Sequence, residues 1–283
     1  LSRTTLYVSD FASNQVVGVD LQSIAVTFTG QPGAPSVCDS IKDQQERRLT
    51  IPTGRGPTSV TADYYLLSRV LVTNTLDNSV TQINVQDNTV RNTLNTGSSP
   101  VDSDWVTIQF GAIRAALIAN QGGLNDPDGS LSLYIGSPSL GGGLLGAGQI
   151  RDGIESTLTD GIKNPTDVWG NGQWIDPPPP AGTLTSRPIV WYVPNTGGNS
   201  IVELRLAVTG LFGTSITAMS PGGPREVGQN PTFASLDPFY PNAFLFAAVA
   251  GTGQFVGMDP SRAISPQGIR VPGLGKIFSC YTH

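Results

Sequence analysis

Three aspartates are the residues of this chain best placed to do acid–base chemistry. Asp102, Asp104 and Asp167 each follow closely after a turn that ends in proline, at the start of a short apolar stretch. A pair of carboxyl groups is the minimum for hydrolysis of a glycosidic bond, because one donates a proton while the other acts as base or nucleophile. The alternative is that these carboxylates accept hydrogen bonds from backbone amides and have a structural role. The sequence leaves both interpretations open.

Other catalytic and metal chemistry has few residues to support it. The single histidine, His283, cannot by itself supply a Ser-His-Asp triad or a multi-histidine metal centre. The glycine-rich tract 136–148 lacks a lysine and a following helix, unlike a phosphate-binding loop, and we interpret it as a flexible insertion. We therefore expect no cofactor.

One turn has the composition of a minimal calcium-binding loop. Asn125, Asp126 and Asp128 place two carboxylates and an amide oxygen within four residues. The later bidentate acid that completes an EF-hand loop is absent. Because Asn, Asp, Pro and Gly are also the residues that form tight turns, we interpret this stretch first as an ordinary turn and keep calcium as the weaker alternative.

Charge and hydropathy limit the partners. Of the 283 residues, 16 are Lys or Arg and 21 are Asp or Glu, which gives a net charge of −5 without a basic cluster. Nucleic acid is therefore not an expected partner, because phosphate binding requires a positive surface. No apolar run approaches the roughly 20 residues of a membrane span, and no signal peptide is seen at Leu1. We expect a soluble chain, either mature or trimmed.

The elements that must position these residues come from a repeated hairpin pattern. Residues 70–85 contain two β-prone runs separated by an Asn/Asp-rich turn, which predicts a β-hairpin. Three other windows of the same length align with it without a gap, and a fifth copy has four extra residues in its turn. The other windows are 6–21, 191–206 and 245–260, and the fifth copy is 116–135.

A second signature precedes these copies. A Gly-x-x-Pro sequence ending at Pro57, Pro100 or Pro231 introduces a short apolar strand, and Pro165 follows a similar turn with its glycine one place further back. Each unit is then a four-stranded sheet with strands A to D, in which the hairpin supplies strands B and C. Such a sheet cannot bury both faces alone, so the pattern predicts sheets that pack side by side.

These repeats resemble the YVTN-type β-propeller repeat proteins, whose tetrapeptide corresponds here to Val72-Thr73-Asn74 and Tyr192-Val193-Pro194-Asn195. The resemblance covers nearly the whole chain in five copies. It implies a single all-β domain, residues 1–283, and we predict a propeller of five four-stranded blades. The copies are farther apart than the ~40–45 residues of an ordinary blade. The alternatives are a pair of β-sandwiches, or a larger propeller of which this chain is a fragment, including one with a degenerate sixth blade.

The first hairpin has no signature strand before it. The stretch after Gly273 near the C-terminus has the right glycine and the right length, with Lys276 in place of the proline. We therefore predict that residues 277–281 pair beside residues 6–10 as the innermost strand of the first blade. This pairing would close the ring and remove its open sheet edges.

Three long insertions, 22–48, 136–160 and 170–188, fall in C–D or A–B connections, which lie on the same face of an up-and-down propeller. Exposed apolar residues on an acidic disc commonly indicate a contact surface, so we predict a protein partner at this face. The alternatives are tolerated surface loops, or side chains that fold back to cap the blades. The apolar residues concerned are Leu140, Leu144, Leu145, Ile150 and Trp174.

The only two cysteines, Cys38 and Cys280, are both predicted to lie near one face of the first blade. A disulfide between them would join the two ends of the ring and would stabilise it by at most roughly 5 kcal/mol in the chain-entropy model. It would also indicate an oxidising compartment. The alternative is two free buried thiols.

These observations predict a non-catalytic, extracytoplasmic propeller, in the periplasm, on the cell surface or secreted. It would act as a binding or assembly scaffold of the cell envelope or of an extracellular structure. Fold alone does not decide function. Since five-bladed propellers include glycoside hydrolases with acidic inner strands, the alternative is a glycan-active or glycan-binding propeller that uses Asp102, Asp104 and Asp167 in its central funnel.

Overall fold

The computed structural model describes the chain in nine stretches, and every structural statement below concerns these residues. They are 5–20, 48–63, 69–108, 113–136, 153–170, 189–209, 215–221, 224–236 and 245–258. Their regular structure is almost entirely antiparallel strand, with two short 3-10 turns at Thr75–Asp77 and Thr196–Gly198. Over the same stretches, no helix is long and apolar enough to cross a membrane.

The strands form five antiparallel sheets, which we call blades 1 to 5. Blade 1 contains β1 (Thr5–Asp10), β2 (Gln15–Asp20) and β3 (Arg48–Pro52). Blade 2 contains β4 (Pro57–Ala62), β5 (Arg69–Asn74), β6 (Ser79–Asn84) and β7 (Thr89–Asn95). Blade 3 contains β8 (Pro100–Ile108), β9 (Ile113–Asn120), β10 (Ser130–Gly136) and β11 (Gly153–Leu158). Blade 4 contains β12 (Trp169–Gly170), β13 (Ile189–Asn195), β14 (Ser200–Thr209), β15 (Ser215–Pro221) and β16 (Arg225–Glu226). Blade 5 contains β17 (Pro231–Leu236), β18 (Leu245–Val249) and β19 (Gln254–Met258).

The blades stand next to one another through their innermost strands, β4, β8, β12 and β17. Between β4 and β8 the Thr58 hydroxyl donates to the Pro100 carbonyl at 3.4 Å, and the Thr61 hydroxyl donates to the Ser103 carbonyl at 2.7 Å. These contacts advance in the same direction along both strands, so the two inner strands are parallel, and each sheet extends outward from them in chain order. This arrangement is a β-propeller, so the predicted fold class is confirmed. The predicted closing strand, 277–281, lies outside the described residues, and five blades in a closed ring remains a prediction.

The gap-free alignment of the four windows is confirmed by their strand register. In each hairpin a four-residue turn, at 11–14, 75–78, 196–199 or 250–253, joins strands B and C. In blade 3, residues 121–129 separate Asn120 from Ser130. The insertion there is thus one residue longer than the alignment predicts.

Apolar side chains pack between neighbouring blades, and each core cluster joins two of them. Val16 and Ile51 of blade 1 pack with Val70 and Val72 of blade 2. The interfaces between blades 2 to 5 contain larger side chains. Strands β5 and β10, in blades 2 and 3, are buried on both faces. Clusters between blades 2 and 3, 3 and 4, and 4 and 5 include Leu71 with Trp105, Leu117 with Trp191, and Tyr192 with Leu245.

The predicted insertion boundaries are partly wrong. The C–D connection of blade 3 ends before Gly153 and not at Asp160, because residues Gly153–Leu158 form β11. The other two connections, 21–47 and 171–188, agree with the prediction to within one residue. Since neighbouring strands within each blade are antiparallel, all three long connections begin and end at the same end of the blades, opposite the B–C turns.

Candidate functional site

The three candidate carboxylates lie close together on the inner strands of two neighbouring blades. Asp102 and Asp104 are two residues apart on β8 of blade 3, so they project on the same side of that strand. Asp167 shortly precedes the two-residue strand β12 of blade 4. The structure therefore brings together all three residues that the sequence indicates for acid–base chemistry.

Asp102 is held by blades on both of its sides. Its Oδ1 accepts a hydrogen bond from the Ser59 hydroxyl of blade 2 at 2.6 Å, and its Oδ2 accepts one from the Val168 backbone N–H of blade 4 at 3.1 Å. The side chain is partly exposed. Both oxygens thus have donors that come from other blades.

Asp167 continues the same chain of contacts to blade 5. Its Oδ2 accepts a hydrogen bond from the Ala234 backbone N–H at 3.0 Å. Burial, followed by a hydrogen bond and charge repulsion from Asp102, raises the pKa of Asp167 to about 8. Two carboxyl groups this close cannot both ionise at low cost, which is why the Asp102 side chain raises the pKa of Asp167.

Asp104 is the most deeply buried of the three. Its Oδ2 accepts from the Gly170 backbone N–H of blade 4 at 2.7 Å, and its Oδ1 accepts from its own neighbour, Trp105 N–H, at 2.8 Å. Desolvation outweighs these two hydrogen bonds and raises the pKa of Asp104 to about 7.

Asp102 and Asp167 occupy the same position in successive blades, two residues after the signature proline. Ser59 holds this position in blade 2, and Phe233 holds it in blade 5. A polar side chain at the position reaches the inner strand of the next blade, as Ser59 reaches Asp102 and Asp167 reaches Ala234. In blade 5 the position is apolar and half-exposed. The cluster is thus one recurring inter-blade contact, repeated in three blades.

The geometry favours a structural role over hydrolysis. The carboxyl groups of a retaining glycosidase are about 5–5.5 Å apart, and those of an inverting enzyme are farther apart, to leave room for substrate or water. The oxygens of Asp102 and Asp167 instead accept hydrogen bonds from Ser59, Val168 and Ala234. The two side chains therefore resemble a clamp between inner strands.

Turn asparagines form a second set of inter-blade contacts, which the chemical interpretation of the sequence missed. Asn14, Asn78 and Asn199 end the B–C turns of blades 1, 2 and 4 in the left-handed conformation, with φ of 56°, 51° and 55°. The Oδ1 of each accepts a backbone N–H from the next blade. In the same order, the donors are Gly56 (2.9 Å), Ser99 (2.8 Å) and Asn230 (3.1 Å). Their identical place in three windows is the signal that would have found them.

The asparagine of the repeat tetrapeptide is also structural. Asn74, Asn120 and Asn195 end strand B of blades 2, 3 and 4 and are buried. The Nδ2 group of each donates across the hairpin to a serine at the start of strand C. These serines are Ser79 (3.1 Å), Ser130 (3.1 Å) and Ser200 (3.3 Å).

The candidate calcium loop forms the long B–C turn of blade 3. Asp126 exchanges backbone hydrogen bonds with Gly123, at 2.8 and 3.2 Å. The carbonyls of Pro127 and Asp128 accept hydrogen bonds from Asn164 of blade 4. These main-chain oxygens, which a bound cation would need, therefore already accept hydrogen bonds. This favours an ordinary turn over a calcium-binding loop. In the described stretches, no three His, Cys, Asp or Glu side chains are grouped to hold a metal ion, and calcium binding through Asn125 and its neighbours stays untested.

Several sequence-based predictions concern residues outside the described stretches. These are the disulfide between Cys38 and Cys280, the position of His283, and the apolar residues of the insertions, namely Leu140, Leu144, Leu145, Ile150 and Trp174.

No protein-family model matches the chain, and no curated protein matches it. Among solved structures, it is similar to a functionally unknown protein from Desulfotomaculum acetoxidans DSM 771, with a TM-score of 0.57 and 14% identity over 92% of this chain and 62% of that one. It is also similar to Kuenenia stuttgartiensis hydrazine synthase, with a TM-score of 0.43 and 13% identity over 90% of this chain and 73% of that one. A structure of a nidogen/laminin complex has a TM-score of 0.45 and 13% identity, over 91% of this chain and 72% of that one. The chain spans less than two thirds of the length of the Desulfotomaculum protein, and at this identity the likeness concerns the fold alone.

Proposed function

We propose that this chain is a non-catalytic propeller of the YVTN type, a single domain that works as a binding or assembly scaffold outside the cytoplasm. The observation that carries this proposal is the use of the inner-strand carboxylates. Asp102, Asp104 and Asp167 each accept a backbone N–H from the next blade. The residues best suited to catalysis thus hold neighbouring blades together. We therefore assign the function to the outer surface of the propeller.

The partner is a protein, and it binds the end of the propeller where the long connections begin and end. Support comes from the strand order, because connections 21–47, 137–152 and 171–188 all start from this end. The opposite end is built from turns that are mostly four residues long and are tied to the neighbouring blade by Asn14, Asn78 and Asn199. An extracytoplasmic location follows from the proposed Cys38–Cys280 disulfide.

A glycan-active or glycan-binding propeller is the second candidate, and one observation favours it. A general acid for glycoside hydrolysis needs a raised pKa, and burial raises the pKa of Asp104 to about 7 and that of Asp167 to about 8. The hydrogen bonds that Asp102, Asp104 and Asp167 accept from the next blade weigh against it, because they occupy oxygens that catalysis would need.

Calorimetry with a panel of oligosaccharides separates the two candidates. The scaffold proposal predicts no binding heat and no released reducing sugar for the wild-type chain. Saccharide binding that is lost in Asp104→Asn, while the unfolding temperature is retained, would establish the glycan candidate in its place.

The proposed face is tested by replacing residues 137–148 with a tight turn. The shortened chain should fold as the wild type does, with the same thermal transition, but should recover less of the protein that copurifies with the wild type under mild extraction. Leu124→Ser, on an exposed turn at the opposite end, is the matched control and should leave copurification unchanged. Loss of the partner in the control but not in the shortened chain would place the contact at the other end.

A further inference from the structure

Two Asp-Gly sequences lie entirely within the described stretches, Asp128-Gly129 and Asp160-Gly161. An aspartate followed by glycine can close a five-membered succinimide ring, because glycine has no side chain to hinder the approach of its amide nitrogen to the preceding side-chain carboxyl carbon. Ring closure requires the peptide plane between the two residues to rotate. The hydrogen bonds of that plane therefore decide which of the two sequences can react.

The peptide plane between Asp160 and Gly161 is free to rotate. The Ile162 N–H donates to the Thr159 carbonyl at 3.2 Å and Gly161 has φ of 75°, so residues 159–162 form a β-turn with the positive φ that a type II turn requires at its third residue. Within the described part of the chain, neither the Asp160 carbonyl nor the Gly161 N–H has a hydrogen-bond partner. Both residues are exposed, and a Cβ built on Gly161 would touch nothing. Rotation of this plane therefore breaks none of its own hydrogen bonds.

The peptide plane between Asp128 and Gly129 is held on both sides. The Asp128 carbonyl accepts a hydrogen bond from the Asn164 N–H, and the Gly129 N–H donates to the Asp126 carbonyl at 3.3 Å. The Gly129 Cα also packs closely on the main chain, because a Cβ added there would collide with the Asn120 carbonyl. Rotation of this plane breaks both hydrogen bonds, so we expect the folded structure to protect this Asp-Gly sequence.

We propose that Asp160 is a site of spontaneous isomerisation, at which the main chain passes from the α-carboxyl to the side-chain carboxyl of this residue. The Gly161 nitrogen attacks the neutral side-chain carboxyl carbon, a new C–N bond forms, the C–OH bond breaks, and the hydroxyl leaves as water with the amide proton. Water then adds to one of the two carbonyls of the succinimide and breaks its C–N bond, which gives either aspartate or isoaspartate. No co-reactant other than water is needed, and the inference is independent of the proposed function.

Isoaspartate at position 160 lengthens the main chain in the turn that leads into blade 4. This turn holds Asn195, the buried repeat asparagine of that blade. The Asn195 Nδ2 group donates to the Gly161 carbonyl at 3.1 Å, and its Oδ1 accepts the Lys163 N–H. An additional main-chain carbon displaces Gly161 relative to Lys163, so that one of these two hydrogen bonds is lost. The isomerised protein should therefore unfold at a lower temperature.

Peptide mapping of the full chain after incubation for weeks at neutral pH tests the proposal. Electron-transfer fragmentation distinguishes isoaspartate from aspartate, and transfer of a labelled methyl group by an isoaspartyl methyltransferase measures it independently. In the folded chain, isoaspartate should accumulate at position 160 at least about tenfold faster than at position 128, where the Gly129 N–H must first leave its hydrogen bond. In urea, where neither turn is formed, the two positions should isomerise at similar rates.

Two matched variants connect the modification to its effect on stability. Asp160→Glu keeps the charge, but a glutamate would have to close a six-membered ring, which forms far more slowly. Methyl labelling of the incubated variant should fall by the share that mapping assigns to position 160, and the variant should lose less of its unfolding temperature during the incubation. Asp128→Glu is the control and should change neither quantity.

Two results would overturn the proposal. One is isoaspartate that accumulates equally at positions 160 and 128 in the folded chain, because the hydrogen bonds of the two peptide planes would then not decide the site. The other is an aspartate at position 160 that stays unmodified in the folded chain while it isomerises in urea, which would show that the folded turn prevents ring closure.

Discussion

At the residue scale, Asp102 raises the pKa of Asp167, but the two side chains do not have equivalent partners. Both oxygens of Asp102 accept hydrogen bonds, from Ser59 and Val168, so this carboxyl group must be an acceptor. Asp167 accepts from Ala234 with one oxygen and is hydrogen-bonded to Asp102, so it can carry the proton. The asymmetry means that the two aspartates should respond differently to the same substitution.

Asp167→Asn should be tolerated and Asp102→Asn should not. The amide introduced at position 167 reproduces the protonated acid, since its NH2 donates to Asp102 and its oxygen accepts from Ala234. An amide at position 102 instead points N–H groups at the donors of Ser59 or Val168, which should lower the free energy of unfolding by about 2 kcal/mol. Urea unfolding at pH 6 measures both variants. Equal losses in the two would show that the assigned proton position is wrong.

Stability should also fall as pH rises. The pKa values of Asp104 and Asp167 are raised to about 7 and about 8, above their ordinary value of 3.8, so the folded state binds more protons than the unfolded state. Their contribution is complete below the unfolded pKa and is lost as pH rises through 7 and 8. Between pH 5 and pH 8.5 the free energy of unfolding should fall by several kcal/mol, because each pH unit between pH 5 and a folded-state pKa costs about 1.4 kcal/mol per group. The fall should be shallower in Asp167→Asn. A wild-type protein that is more stable at pH 8.5 than at pH 5 would contradict this assignment.

The place of these aspartates was predictable from sequence, but their partners were not. The signature prolines, Pro100 and Pro165, fix the start of an inner strand and so the two positions of Asp102 and Asp167. The backbone donor to each carboxylate lies on the next blade, as in the contact of Asp102 with Val168, 66 residues further along the chain. Residue spacing within one repeat does not indicate which residue of another blade will be the donor, because that choice depends on how the blades pack.

At the element scale, the B–C turns combine a local and a long-range requirement. Asn78 has φ of 51°, a left-handed conformation that Asn and Gly tolerate better than other residues. Its side chain also accepts the Ser99 N–H ahead of blade 3 at 2.8 Å. One residue thus closes the hairpin of its own blade and fixes the start of the next.

Three substitutions at position 78 separate these two requirements. Asn78→Asp keeps an acceptor and should cost little. Asn78→Gly keeps the turn but loses the inter-blade hydrogen bond and should lower the free energy of unfolding by about 1 kcal/mol. Asn78→Ala loses both and should lower it by about 2 kcal/mol or more. Chemical denaturation gives the order, and equal values for Gly and Asp would mean that the contact with Ser99 contributes nothing.

Hairpins were predicted well at this scale, and outer strands less well. A strand such as β5 is buried on both faces and contains the apolar run Val70, Leu71 and Val72. In contrast, β11, Gly-Ile-Glu-Ser-Thr-Leu, is the outermost strand of its sheet, and its apolar residues are not consecutive. It therefore looks like the end of the preceding glycine-rich insertion. The predicted boundary at Asp160 was wrong for this reason.

At the scale of the whole molecule, the predicted closed ring would depend on contacts between distant parts of the chain. The predicted Cys38–Cys280 disulfide would join them covalently. Reduction should then lower the melting temperature and change the mobility on a non-reducing gel, because the loop it closes contains most of the chain. Two thiols that alkylate in the native protein, with unchanged mobility, would show that the bridge is absent.

The most direct test of the account is a double-mutant cycle between Asp102 and Asp167, which lie on different blades. If the inner-strand carboxylates hold the blades together, Asp102→Ala and Asp167→Ala should couple by about 1.5–3 kcal/mol in the free energy of unfolding at pH 6, below the raised pKa of Asp167. The coupling should shrink at pH 9, where Asp167 is ionised and repels its partner. Losses that simply add at both pH values, to within about 0.5 kcal/mol, would contradict the claim that these carboxylates join neighbouring blades.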